Sequence, residues 1–210
     1  MPKEWVRKHK RDYYYRKAKR GDLRSRASFK LLEAVEKYDF MKLGDVVVDL
    51  GAAPGGWLQI SRRIVGESGF VLGVDIDRIE PLGFANVVTI VGDIRNPEII
   101  GRIKALLPRP ADVVLSDVSP NVSGVWELDH ARQIGLAERS LSIAVEVLRT
   151  GGNFFVKVFQ GDLQAGFLHS VREWFYRVKT VKPKASRKES AEVYILGMNF
   201  KGKMEEQVIA

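Results

Sequence analysis

Val46-Val47-Val48-Asp49-Leu50-Gly51-Ala52-Ala53-Pro54-Gly55-Gly56-Trp57 is the stretch on which the chain turns. Consecutive valines predict a strand buried on both faces, as in a parallel sheet. The run then enters a loop of small residues. Glycine there lets the backbone take unusual dihedrals and approach a ligand closely. Helical patterning follows over residues 58–65. A strand, a glycine loop and a helix in succession make a nucleotide-type cofactor site.

Outward from this unit, strand patterns at 46–50, 70–75, 87–91, 112–116 and 153–159 alternate with helical patterns at 58–65, 97–106 and 131–148. Gly151-Gly152 reads as the stop of the last helix. Such alternation predicts a doubly wound α/β sheet, mostly parallel. Two more strands, near 177–181 and 193–199, are separated by a basic loop and are expected to pair antiparallel. Upstream, Ser25 is expected to cap a helix reaching about residue 37. Its apolar stripe is Ala27, Leu31, Ala34, Val35 and Tyr38, with Lys30 on the flank. A lysine so placed runs its stem along the core and delivers its ammonium to a cleft. The expected organisation is a basic arm over 1–21, one domain over 22–200 and a tail over 201–210.

Charge separates the arm from the domain. The 210 residues carry a net +8, yet residues 1–30 alone hold twelve Lys or Arg against Glu4, Asp12 and Asp22. That segment is +9, so the remainder is −1. A basic arm on a near-neutral body is the footprint of a phosphate-backbone binder, and Trp5, Tyr13, Tyr14 and Tyr15 are available to stack on bases. The ordinary alternative is a solubilising tail. A second basic cluster is Lys179, Lys182, Lys184, Arg187 and Lys188. The chain has no cysteine, which excludes disulfides, cysteine-ligated zinc and a cysteine nucleophile. His9, His130 and His169 lack metal-ligand spacing. No apolar run is long enough for a bilayer, and the charged N-terminus has no apolar stretch behind it. A cytoplasmic monomer is expected.

Acidic residues at successive strand ends discriminate between cofactors. Asp75 follows the second strand, Asp93 the third and Asp117 the fourth. Asp75 suits ribose hydroxyls, Asp93 an adenine amino group, and Asp117 a cationic amine. Each alone reads as a turn or cap residue; three in sequence point to a ligand. A nicotinamide dinucleotide fits poorly, because Ala53 breaks the Gly-x-Gly-x-x-Gly fingerprint counted from Gly51 and aspartates repel a pyrophosphate. S-adenosylmethionine carries a sulfonium and no phosphate, so it fits.

Four residues stand out as reacting groups: Lys30, Asp117, Lys157 and Glu192. Lys157 sits inside Phe154-Phe155-Val156-Lys157-Val158-Phe159. Burial there is expected to lower its pKa. Taken singly, Lys30 and Glu192 read as residues of a solvated face.

Five passages then resemble the FtsJ/RrmJ family of ribose 2′-O-methyltransferases. They are Ser25-Arg26-Ala27-Ser28-Phe29-Lys30-Leu31, the Asp49–Trp57 loop, Ser116-Asp117-Val118-Ser119-Pro120-Asn121-Val122-Ser123-Gly124, Phe155-Val156-Lys157-Val158-Phe159-Gln160-Gly161 and Ser186-Arg187-Lys188-Glu189-Ser190-Ala191-Glu192-Val193-Tyr194. The resemblance spans roughly residues 22–199. It implies a Rossmann-like methyltransferase fold of seven strands with an antiparallel C-terminal strand. It also implies a Lys-Asp-Lys-Glu tetrad on Lys30, Asp117, Lys157 and Glu192, with S-adenosylmethionine against Gly55, Trp57, Asp75, Asp93 and Asp117. The implied substrate is a uridine ribose of large-subunit ribosomal RNA, free or in the subunit. Transfer RNA methylation and a non-catalytic RNA-binding assembly factor are the alternatives; a nicotinamide dehydrogenase is more distant.

Overall fold

The computed structural model describes residues 23–186 and 190–203. The arm over 1–21, Arg187 and Lys188 of the second basic cluster, and the tail beyond Lys203 lie outside the described residues. Among the described residues seven strands form one sheet: β1 (Val46–Leu50), β2 (Phe70–Asp75), β3 (Val87–Val91), β4 (Ala111–Ser116), β5 (Leu148–Phe159), β6 (Phe175–Val181) and β7 (Glu192–Phe200). Their order is β3-β2-β1-β4-β5-β7-β6. The first five strands are mutually parallel, and β7 runs antiparallel between β5 and β6. The helices among the described residues are α1 (Ser28–Tyr38), α2 (Gly56–Val65), α3 (Ile99–Leu106), α4 (Trp126–Val147) and α5 (Gln164–Trp174).

The valine run behaves as its composition demands. Every residue of β1 is buried. Val46, Val48 and Leu50 join one core with α3, α4 and α5, while Val47 joins the other with α1 and α2. Each fully buried valine or leucine side chain contributes about 1.5–3 kcal/mol, so a polar residue on either face of this strand is costly. That makes Asp49 conspicuous. Among the described residues no helix is long and apolar enough to cross a membrane.

Three local expectations are corrected. Ser25 does not cap α1: Ala27 precedes the helix in right-handed backbone, with no side-chain cap, and Ser25 offers only its carbonyl to Ser28 N. Gly151-Gly152 does not end a helix. α4 stops at Val147, and the glycines form a bulge in β5, where the register jumps from Ala111↔Leu148 to Val113↔Asn153. Gly151 has φ +81°, and a Cβ on Gly152 would lie 2.9 Å from Arg149 O and 3.0 Å from Asp112 O. Helix α5 had no counterpart in the sequence reading. Its buried residues are Phe167 and Val171 alone, one turn apart, too narrow a stripe to register as a period.

At the N-terminal ends of the central strands, opposite the glycine loop, buried Asp112 accepts from Val46 N at 2.7 Å and pairs with Arg109 (2.7 Å) and Arg149 (2.5 Å). Burial raises its carboxyl, but these partners outweigh it and hold the group below the usual range. Removing the carboxylate strands a buried N–H and two paired guanidiniums. Asp112→Ala should therefore cost about 2–4 kcal/mol in denaturant unfolding and leave kcat per folded molecule unchanged. A loss under about 0.5 kcal/mol, the range of a surface substitution, contradicts this role.

Candidate active site

The switch point of the sheet lies between β1 and β4, whose crossovers leave in opposite directions. The loop after β1 is drawn over it. Gly51 N and Ala52 N donate to Val74 O at 2.8 and 3.2 Å, and Asp117 N donates to Leu50 O at 3.2 Å. Gly51 and Gly55 have φ of +75° and +102°. A Cβ on Gly51 would meet Val118 Cγ2 at 2.7 Å, and one on Gly56 would meet Ser25 Oγ at 2.2 Å. The small residues thus serve backbone shape and close packing as well as ligand access.

Arg24, which the sequence reading did not single out, clamps this loop. Its guanidinium donates to the carbonyls of Pro54 (3.2 Å), Glu80 (2.5 Å) and Pro81 (2.9 Å), and its own N–H donates to Gln59 Oε1. The clamp ties the loops after β1 and β2 together.

Asp75 sits where the sequence reading put it. One carboxylate oxygen accepts from Ala53 N at 2.8 Å and the other from Asp77 N at 2.9 Å. Each keeps a lone pair for a vicinal diol. Asp93 follows β3, next to Gly92, whose N–H donates to Asp75 O at 2.7 Å. The Arg95 guanidinium grips the Asp93 carboxylate with bonds of 2.7 to 3.1 Å. Those bonds hold the Asp93 carboxyl below its usual range. A ligand amine there shares Asp93 with Arg95. Trp57 is different: its indole is buried, donates to Ala27 O at 2.8 Å, and packs against Phe155 and Tyr194. What Trp57 can offer a ligand is its backbone in the first turn of α2.

The four candidate residues converge. β7 is antiparallel, so its first residue lies at the edge where the parallel strands end. Lys157 faces Tyr194 across the pair, and Phe159 faces Glu192. Lys30, projecting from α1 and buried, donates to Glu192 Oε2 at 3.0 Å. Lys157, also buried, places Nζ 2.7 Å from the Asp117 carbonyl oxygen and 3.3 Å from Asp117 Oδ1. Tyr194 joins the two pairs. Its hydroxyl donates to Asp117 Oδ1 at 2.8 Å, and the Lys30 ammonium lies 5.6 Å from its ring centre. Burial, and then the Asp117 charge, push the Tyr194 hydroxyl well above its usual range, so it keeps its proton. Burial raises the Glu192 carboxyl, but the Lys30 charge and hydrogen bond and the Lys157 charge outweigh it and leave the group low.

Two further residues escaped the sequence reading. Buried Gln133 of α4 donates from Nε2 to the carbonyls of Val118 (3.2 Å) and Lys157 (3.0 Å), fixing the ends of β4 and β5 relative to each other. Asp129 accepts from Ser123 N, Ser123 Oγ and Gly124 N at 2.8 to 3.0 Å and sets the loop after β4. Neither has a local pattern that separates it from an ordinary helix residue. Among the described residues no cluster of His, Asp and Glu is arranged to hold a metal ion.

Asp49 lies beneath the loop, with no accessible surface and no hydrogen-bond partner for either carboxyl oxygen among the described residues. Burial, and then the charges of Asp117 and Asp75, push its carboxyl well above the usual range. The group's stabilising contribution is complete below the unfolded pKa of about 3.9 and is lost as pH rises toward the folded value. Asp49→Asn should remove that slope. In denaturation from pH 4 to pH 8 the variant gains on the wild type by at least about 1 kcal/mol, one pKa unit being about 1.4 kcal/mol. A difference that stays constant with pH contradicts a neutral Asp49.

Residues 23–200 match the FtsJ-like methyltransferase family. Ribosomal RNA large subunit methyltransferase E of Methanococcus maripaludis (strain C7) is 50% identical over 201 residues, covering 96% of this chain and 78% of that protein. The protein of the same name from Methanothermobacter thermautotrophicus is 47% identical and is covered to 96%, over 97% of this chain. A ribosomal RNA methyltransferase of Plasmodium falciparum superposes with a TM-score of 0.75 at 27% identity, covering 86% of this chain and all of that one. Aeropyrum pernix fibrillarin, solved with natively bound S-adenosyl-L-methionine, shares the fold at a TM-score of 0.58 and 18% identity, over 83% of this chain and 75% of its own. Read with the glycine loop, the strand-end aspartates and the lysine-rich tetrad, these likenesses settle the matter: the chain belongs to the FtsJ-like methyltransferase family and is an S-adenosylmethionine-dependent enzyme.

Proposed function

We propose that this enzyme methylates the 2′-hydroxyl of a uridine ribose in large-subunit ribosomal RNA. The observation that carries the reading is Lys157 Nζ, buried and held by the carbonyl and carboxylate of Asp117 beside the Lys30–Glu192 pair. A ribose hydroxyl is a weak acid, and its oxygen must be positioned and relieved of a proton as it attacks. The names of the archaeal relatives supply the RNA class. A cytoplasmic, monomeric enzyme acting on ribosomal RNA accompanies this reading.

The residues fit the donor. Asp75 would hold its ribose hydroxyls, Asp93 its adenine amino group, Asp117 its ammonium, and the backbone at Gly55 and Trp57 would face it. S-adenosylmethionine, when bound, supplies a methyl carbon made electrophilic by a sulfonium, whose S–C electron pair stays on sulfur as the new O–C bond forms. Lys157 takes the 2′-hydroxyl proton on Nζ. The Asp117 oxygens then receive the resulting ammonium. Lys30, fixed by Glu192, orients the ribose, and Tyr194 holds the Asp117 carboxylate in place.

The test is transfer of labelled methyl from S-adenosylmethionine to large-subunit ribosomal RNA, followed by alkaline hydrolysis. Label is expected in an alkali-resistant dinucleotide bearing a 2′-O-methyluridine. Label on a base, label confined to transfer RNA, or RNA binding without transfer overturns the assignment.

A further inference from the structure

Trp126 has no part in the chemistry above, yet it stands beside it. It is the first residue of α4, and nearly half of it (46%) remains in solvent. Its ring is not loose. The His130 ring lies 5.7 Å away at 16°, and the Phe159 ring 6.0 Å away at 19°. His130 is itself buried and accepts from Leu163 N at 3.2 Å. Gly161 makes room for it, since a Cβ there would lie 2.7 Å from the imidazole. The loop leading into Trp126 is set by the Asp129 carboxylate. The indole is thus held at a defined tilt before any ligand arrives, so ordering it on binding costs little.

Its place is equally defined. Phe159, which Trp126 stacks on, is the cross-strand partner of Glu192 and lies two residues beyond Lys157 on the same face of β5. A flat π-face therefore borders the tetrad. Val122 and Val125, at 70% and 54% exposure, flank it in the loop after β4.

We propose that Trp126 is a stacking platform for an unpaired nucleobase of the RNA, next to the nucleotide whose ribose enters the site. The proposal rests on the reading of the acceptor as an RNA ribose. A strand that delivers a ribose to Lys157 and Glu192 brings neighbouring bases past this face. Single-stranded RNA is recognised by stacking on such rings, with little regard to sequence. The platform accordingly selects an unstacked, single-stranded target without naming its bases.

The experiment uses the full chain, as wild type, Trp126→Leu and Trp126→Phe, with transcribed large-subunit ribosomal RNA. Leucine keeps apolar contact with Phe159 and His130 but has no π-face; phenylalanine keeps one. Trp126→Leu is expected to raise the RNA KM, and the Kd from filter retention, about tenfold, with kcat and the KM for S-adenosylmethionine within about twofold. Trp126→Phe recovers most of the loss. The slope of log Kd against log salt stays at the wild-type value, because no phosphate contact has been removed. Unchanged KM and Kd in Trp126→Leu, or equal behaviour of Leu and Phe, overturns the proposal. So does a defect seen on assembled subunits but not on naked RNA, which assigns the ring to a protein partner. If the wild type binds RNA without methylating it while Trp126→Leu still weakens Kd, the acceptor reading has failed and the platform stands. If the wild type neither binds nor methylates RNA, both fall.

Discussion

Lys157→Ala should abolish methyl transfer, lowering kcat by about a thousandfold or more, the scale of a positioned proton acceptor, with the Kd for S-adenosylmethionine within about twofold. Lys157→Arg carries the sharper information. Arginine keeps a cation near Asp117 but does not give up its proton. If Lys157 accepts the hydroxyl proton, the arginine variant is as inactive as the alanine variant. If Lys157 only orients the hydroxyl as a cation, arginine restores a substantial fraction of the rate. Single-turnover measurements at saturating RNA and donor separate the two, because they report the chemical step without product release. Recovery above about a tenth of wild type in Lys157→Arg would remove the base assignment and leave the site intact.

Asp117→Asn should lower kcat by about a hundredfold while leaving the RNA KM near its wild-type value. Asparagine retains the backbone carbonyl that Lys157 Nζ meets at 2.7 Å and an acceptor for the Tyr194 hydroxyl. It removes the charge that receives the lysine ammonium. Because the two residues act on one proton, their effects should not multiply. The double variant Lys157→Ala/Asp117→Asn is expected within about threefold of Lys157→Ala alone, as for other groups that act as a unit. A further hundredfold loss in the double variant means that Asp117 works through the donor instead of through Lys157.

Much of this was legible in the residues because it rests on short-range rules. β1 is recognisable because valines at consecutive positions are worth burying only in a parallel strand covered on both faces. Asp75, Asp93 and Asp117 could be placed because strand ends can be located even when helix ends cannot. Lys157 drew notice because a lysine among phenylalanines is costly wherever it points. Helix α5 escaped because two buried residues do not make a stripe. The bulge at Gly151-Gly152 escaped because glycine pairs stop helices more often than they bend strands. The Trp57 indole lies in the core against Phe155 and Tyr194, a placement that no local pattern announces, and leaves its backbone for a ligand.

The amino-acid sequence by itself determined the parallel sheet, the glycine loop at its switch point, and the choice of four candidate reacting residues. Composition, periodicity and motif order act within a few residues or along a single element. The tertiary structure alone decided how those residues meet. Lys30 and Glu192 are 162 positions apart, and a 3.0 Å contact between them exists because antiparallel β7 starts where parallel β5 ends. It also decided that Tyr194 links the two ion pairs, that Gln133 fixes the ends of β4 and β5, that Asp49 is sealed in with no hydrogen-bond partner among the described residues, and that Trp126 stacks on Phe159, two residues beyond Lys157. Such facts depend on which surfaces face each other, and facing surfaces are set by packing across the whole domain.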